Sequence, residues 1–154
     1  MSSRRNALLS RDFSDILSAF SDEKVDYMVV GGYAIAFYGF LRGTGDFVLF
    51  IRISDENASR VLSALSSFGA PLGELGIVDL MRPGTVFQMG VPPNRIDIIN
   101  HMDGVDFDEA WVNRSSIELE GHTIPVIGKR ELLKNKQAMG RPKDLADIAW
   151  LTEK

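Results

Sequence analysis

The chain has 154 residues, of which 45% are hydrophobic and 25% charged, and a formal net charge of −4 at pH 7. This composition fits one globular domain with a sizeable core and excludes disorder over most of the length. The acidic balance argues against a protein that holds nucleic acid by charge alone, and the absence of cysteine removes disulfides, thiolate metal sites and a thiolate nucleophile.

Arg4 and Arg5 have no apolar run behind them, so the start of the chain does not read as a secretory leader. The apolar run YMVVGGYAIAFYGF is broken by glycines and falls short of the ~20 residues a membrane helix needs. The expectation is a soluble, cytoplasmic protein without a membrane partner. No repeat, low-complexity segment or long linker divides the sequence, so 1–154 is expected to be a single domain.

In chain order, SRDFSDILSAFSDE places Phe13, Ile16, Leu17 and Phe20 at helical spacing behind a Ser10 N-cap. VDYMVVGG reads as a short buried strand that stops at Gly31–Gly32, and YAIAFYGF as a helix opening directly from that pair and ending near Gly39. DFVLFIRIS is a second strand. DENASRVLSALSSFG is an amphipathic helix with acids in its first turn and Gly69 as its stop. A short helix is expected near Ile77 to Met81. TVFQMGVPPNRIDIIN and SSIELEGHTIPVI each read as two strands joined by a turn, the second turning at Gly121. The chain closes with two helices, KRELLKNKQAMG and PKDLADIAWLTE, with Pro142 at the first position of the last one. The fold class that follows is α+β, a mixed β-sheet flanked by helices.

Three stretches carry chemistry. A strand that runs into Gly31–Gly32 and then a helix leaves free backbone N–H groups suited to a phosphate, although the motif is neither G-x-G-x-x-G nor a P-loop. Taken alone it reads more readily as a tight strand-to-helix turn. Asp46 and Asp97 are carboxylates on otherwise apolar strands, where each needs a cation, a metal or hydrogen bonds. Each could pair with an arginine, Arg42 or Arg95, or cap a turn. Together with the glycine turn they form the ordered set that can hold Mg²⁺ between a protein and a nucleoside triphosphate. Lys134, Lys136, Arg141 and Lys143 lie close together and suit either an anionic groove or a solvated surface. Asp144 and Asp147 fall at the start of the last helix, where its dipole favours them. His101 and His122 lack partners at ligand spacing, and Trp111 and Trp150 read as packing residues.

GGYAIAFYGFLRGTGDFVLFI, PPNRIDIIN and NKQAMGRPKDLADIAWL together resemble the small bacterial nucleotidyltransferase-like proteins of the polymerase-beta-type superfamily. That group includes minimal nucleotidyltransferases and toxin–antitoxin transferases, and the likeness spans Val25 to Leu151, a core of about 25–151. The resemblance implies a nucleotidyltransferase fold. It implies that Gly31 and Gly32 hold nucleotide, with Tyr33 where relatives carry a small residue. It assigns the Arg-x-Thr-x-Asp lead to Arg42, Thr44 and Asp46, the third catalytic aspartate to Asp97, and a triphosphate-associated lysine to Lys136. Asp46 and Asp97 would be the catalytic, Mg²⁺- or Mn²⁺-binding residues.

The departure is Val48, which stands where the family reads the second Asp of Asp-x-Asp. Residues i and i+2 of a strand face the same side, so two such carboxylates plus one from a neighbouring strand can hold two Mg²⁺ ions about 3.5–4 Å apart. An isopropyl group supplies no ligand there, and Asp55, Glu56 and Asp79 lie outside the strand. The resemblance therefore implies either NMP transfer from an NTP to a hydroxyl of RNA or of a protein, impaired by the missing carboxylate, or a binding module without turnover. The module could be one half of a toxin–antitoxin pair.

Overall fold

The computed structural model describes residues 9–40 and 47–153. A helix opens the described chain: α1 (Arg11–Asp22) starts where the Ser10 hydroxyl accepts the Phe13 N–H at 3.2 Å. Its Phe13, Ile16, Leu17 and Phe20 are all buried, the stripe that a spacing of three and four residues produces. There follow β1 (Tyr27–Val30), α2 (Gly31–Phe37), β2 (Phe47–Ile51), α3 (Asp55–Phe68), α4 (Ile77–Met81), β3 (Val86–Met89) and β4 (Ile96–Ile99). The remainder is α5 (Phe107–Val112), β5 (Ser115–Leu119), β6 (His122–Val126), α6 (Lys129–Met139) and α7 (Leu145–Glu153), with a 3-10 turn (Pro142–Asp144) leading into α7.

The strands form one mixed sheet in the order β3-β4-β2-β1-β6-β5. β2 runs parallel to β4 and β1 parallel to β6, whereas β1–β2, β3–β4 and β5–β6 are antiparallel. The two central strands are almost wholly apolar because both of their faces are covered. The Phe13 ring stacks on Phe47 at 4.4 Å, which puts α1, and α3 packed beside it, on the Phe47 face. On the other face, Phe107 of α5 meets Phe50 edge to face at 5.1 Å.

The expected elements are present, with three adjustments. α5 is an element that the sequence reading leaves unassigned. β2 ends at Ile51 rather than continuing to Ser54, because the Arg52 carbonyl is turned to accept the Asn57 side-chain amide at 3.0 Å. Pro142 opens the 3-10 turn and not α7: the Asp144 carboxylate folds back to accept the Arg141 N–H at 3.2 Å, which tightens that turn. Among the described residues no helix is long and apolar enough to cross a membrane.

Candidate functional site

Four residues lie side by side across the middle of the sheet. Val30 of β1 pairs with Val48 of β2, Val48 with Asp97 of β4, and Asp97 with Gln88 of β3. Directly opposed residues point to one face, so these side chains form a row on the face away from Phe47. At the β1 end of the row the chain turns into α2. Gly31 has φ +73, a conformation an L side chain adopts only with strain, and a Cβ built on it would lie 3.7 Å from a methyl of Val48. The glycine turn thus sits against the side chain of Val48, with Asp97 on the next strand. α2 is only seven residues long, so the turn offers a few free N–H groups and little macrodipole.

Asp97 is 8% exposed, and Arg95, two residues earlier on the same face, places its Nε 3.3 Å from Asp97 Oδ1. Arg95, one of the two arginines the sequence offers to this carboxylate, thus lies beside it, and Arg42 falls outside the described residues. Among the described residues the row offers one carboxylate: Asp97 is flanked by the isopropyl group of Val48 and the carboxamide of Gln88, with the Arg95 guanidinium beside it. Among the described residues no group of three or more His, Asp or Glu side chains is gathered to hold a metal ion. Arg42, Thr44 and Asp46 lie outside the described residues.

No family model and no curated protein matches the chain. Among the solved structures that share its architecture are two nucleotidyltransferase-type proteins. One is a candidate nucleotidyltransferase from Thermotoga maritima, 18% identical, with a TM-score of 0.61 over 94% of this chain and 92% of that one. The other is an antigenic nucleotidyltransferase-like protein from Paracoccidioides brasiliensis, 17% identical, with a TM-score of 0.52 over 91% of this chain and 74% of that one. The chain has the nucleotidyltransferase fold.

On this nucleotidyltransferase fold the remaining expected site residues fall in different places. The Tyr33 ring packs edge to face on Phe13 at 5.4 Å and Phe47 at 5.2 Å, and so belongs to the α1 face rather than to the Val48–Asp97 row. Lys136 is buried, with its ammonium 3.5 Å from Asp144 Oδ1 and 3.1 Å from Asp147 Oδ2. Its charge is matched inside the fold, and contact with a triphosphate requires breaking those pairs. Asp144 and Asp147 thus do more than meet a helix dipole. Asp144 also takes Arg141 Nε at 2.8 Å, and this hydrogen bond, helped by the Arg141 N–H and the Lys136 charge, holds its carboxyl below the ordinary aspartate range against the opposing effect of burial.

Asp55 and Glu56 open α3 beyond the far end of β2, and Asp79 accepts the Gly76 N–H and pairs with Arg82. None of them stands in the Val48 row. His122 pairs with Ser14 at 2.7 Å and His101 with Asp103 at 3.2 Å. Trp150 stacks on Phe40 and Trp111 on Phe107.

At the opposite end of β2 and β4 lies a cleft of about 250 Å³, lined by Phe50, Arg52, Asn100, His101 and Phe107 among others. Its arginine is committed to Asp26 and Asp108, and the Asn100 amide is used up bonding Gly84, Thr85, Leu80 and Arg82 backbone groups. Sequence reasoning missed Gln88 as the neighbour of Asp97. The hairpin register around the VPPN turn is the signal that would have found it.

Proposed function

We propose that the protein is a nucleotidyltransferase-type protein that takes a nucleoside triphosphate at the Gly31–Gly32 turn and the adjoining Val48–Asp97 row. Its transfer of NMP to a hydroxyl of RNA or of a protein is impaired. The observation that carries this reading is the register: Val48 stands directly beside Asp97 and against Gly31, the position at which a second strand carboxylate would join the first. The fold and the glycine turn support nucleotide binding, and the isopropyl group supports the loss of turnover. Arg42, Thr44 and Asp46 complete the proposed site, with Mg²⁺ or Mn²⁺ at Asp46 and Asp97 only if the missing carboxylate is restored. Tyr33 and Lys136 contribute through packing and ion pairing rather than by touching phosphate.

The Arg95–Asp97 ion pair favours a second reading, a binding module without turnover, including one half of a toxin–antitoxin pair. Transfer of α-labelled NMP to RNA and to protein, followed with the unmodified chain and with Val48→Asp, separates the two. Impaired transfer predicts slow incorporation that Val48→Asp raises by about tenfold or more, the effect of ~1.4 kcal/mol at the barrier. A silent variant that still binds NTP favours the module. Failure of both proteins to bind any NTP removes the nucleotide reading.

A further inference from the structure

Among the described residues the sheet has two edges, β3 and β5. An edge strand presents unpaired backbone groups to any strand that meets it, and sheets shield such edges with charge, proline or bulges. β5 is shielded: Glu118 lies within it, and Arg114 and Glu120 flank it. β3 is not. From Gly84 to Val91 the sequence GTVFQMGV holds no charge and no proline. Val86 is 55% exposed, and Gln88 is exposed as well.

The ladder fixes which backbone groups of β3 look out. The Phe47 N–H donates to the Arg95 carbonyl at 3.2 Å, so Arg95 turns its backbone groups towards β2. Successive strand residues turn theirs to alternate sides, so Ile96 and Ile98 face β3. Their register partners are Met89 and Phe87, which therefore point inward, and Val86 and Gln88 point outward. The outward N–H and C=O groups are thus spaced symmetrically about Phe87. Gly84, with φ +94, and Gly90, with φ +77, end the extended stretch at equal distances on either side of the same residue.

We propose that β3 pairs antiparallel with β3 of a second copy of this chain, about a two-fold axis at Phe87. In that register Val86 of each copy lies opposite Gln88 of the other. Each such pair exchanges both hydrogen bonds, so every outward group of both strands is satisfied. An axis at Gln88 would instead set Val86 opposite Gly90, where the chain already turns back through the Asn94 N–H to Val91 carbonyl bond. Charge selects a second copy as the occupant. The chain carries −4 overall, and this neutral edge lets two copies meet without like charges directly opposed. Opposed residues share a face, so both Val48–Asp97 rows open on one side of a continuous sheet. One strand pair buries less than the ~1,200 Å² of a standard interface, which sets the dimer in the weak, micromolar-to-millimolar range.

The test uses the full chain from micromolar to about 1 mM, followed by sedimentation equilibrium. The expected result is a reversible rise in mass from 17.1 kDa to twice that value and no further, since the axis uses up the edge of each copy. Val86→Pro deletes an outward N–H, which an edge strand tolerates, and Val86→Lys brings two like charges close to the axis. Each raises the dissociation constant by about tenfold or more, the scale of one hydrogen bond lost on either side of the axis. Cysteine, which the chain lacks, reads the register. Opposed hydrogen-bonded residues have Cα atoms about 5.5 Å apart, within reach of a disulfide, whereas Val86 and its own copy lie roughly 8 Å apart. An oxidised mixture of Val86→Cys and Gln88→Cys chains therefore gives a disulfide dimer that neither gives alone.

A chain that stays at 17.1 kDa up to about 1 mM overturns the proposal. So does a dimer that both Val86 substitutions leave intact, or growth beyond two copies. A disulfide formed as readily by either cysteine chain alone overturns the register. Circular dichroism checks that each variant is folded. Should Val86→Pro fail that check, Val86→Lys and the cysteine mixture, which alter only exposed side chains, carry the decision.

Discussion

Lys136 shows how one residue's chemistry depends on partners that sequence spacing hides. Its ammonium lies between two carboxylates that are each about 1% exposed, Asp144 and Asp147. Removing one member of a buried ion pair leaves the other charge uncompensated and costs about 3–5 kcal/mol. Lys136→Met is therefore expected to lower the unfolding free energy by about 3 kcal/mol in urea titrations, and to change NTP affinity little as long as the chain stays folded. A lysine that served a triphosphate would show the reverse, unchanged stability and weakened binding.

The same network has a pH signature. The Asp144 carboxyl is held below its ordinary value of 3.8, chiefly by the Arg141 hydrogen bond. A depressed carboxyl binds fewer protons folded than unfolded, so its contribution is complete above about pH 4 and is lost as the pH falls through the folded value. Acid unfolding followed by circular dichroism should begin at higher pH in Arg141→Met than in the unmodified chain. An identical acid limb in the two proteins would remove Arg141 from the account.

At the scale of elements, α1 is held to the sheet by aromatic contacts, Phe13 on Phe47 of β2 and Phe20 on Tyr27 of β1. Phe13 is buried and stacks on Phe47, the residue next to Val48. Phe13→Ala is expected to cost about 3–5 kcal/mol, as large aromatic truncations in a core do. A thermal unfolding scan would show it as a large drop in Tm, and a loss under about 1 kcal/mol would mean that the helix packs loosely there.

Elements with strong periodicity or punctuation were legible in the sequence. The α1 stripe, the Ser10 cap and the Gly69 stop, where φ is +94, each follow from local chemistry. α5 was not legible because it is six residues long, buries only Ala110 fully and leaves Val112 80% exposed. Its available signal was the start, where Asp106 accepts the Glu109 N–H at 3.1 Å. The boundary of α7 was hidden for a different reason. The turn at Gly140, with φ +60, brings Asp144 back onto Arg141 and Lys136, and nothing in the local pattern of the last helix encodes that return.

For the whole molecule, the sheet order places β1, β2 and β4 side by side although α3, α4 and β3 separate β2 from β4 in the chain. That arrangement brings Gly31, Val48 and Asp97 together, and the sequence disclosed it only through the resemblance of its motifs. Hydrophobic pattern alone gives strands but no neighbours. The pairing of Asp97 with Arg95 was legible as one of two arginine choices, because residues two apart on a strand share a face. The packing of Tyr33 on the α1 face was not, since it depends on the angle at which α2 leaves β1.

The proposed nucleotide site turns on Val48, which lies in register with Asp97 and its neighbour Arg95 where a second carboxylate would complete a metal pair. Calorimetric titration of NTP with and without Mn²⁺, into the unmodified protein and Val48→Asp, tests it most directly. The substitution takes the charge of Val48, Asp97 and Arg95 together from zero to −1. The expected result is NTP binding by the unmodified protein that Mn²⁺ does not strengthen, and binding by the variant that it does. Strengthening by Mn²⁺ in the unmodified protein, or none in the variant, would contradict it.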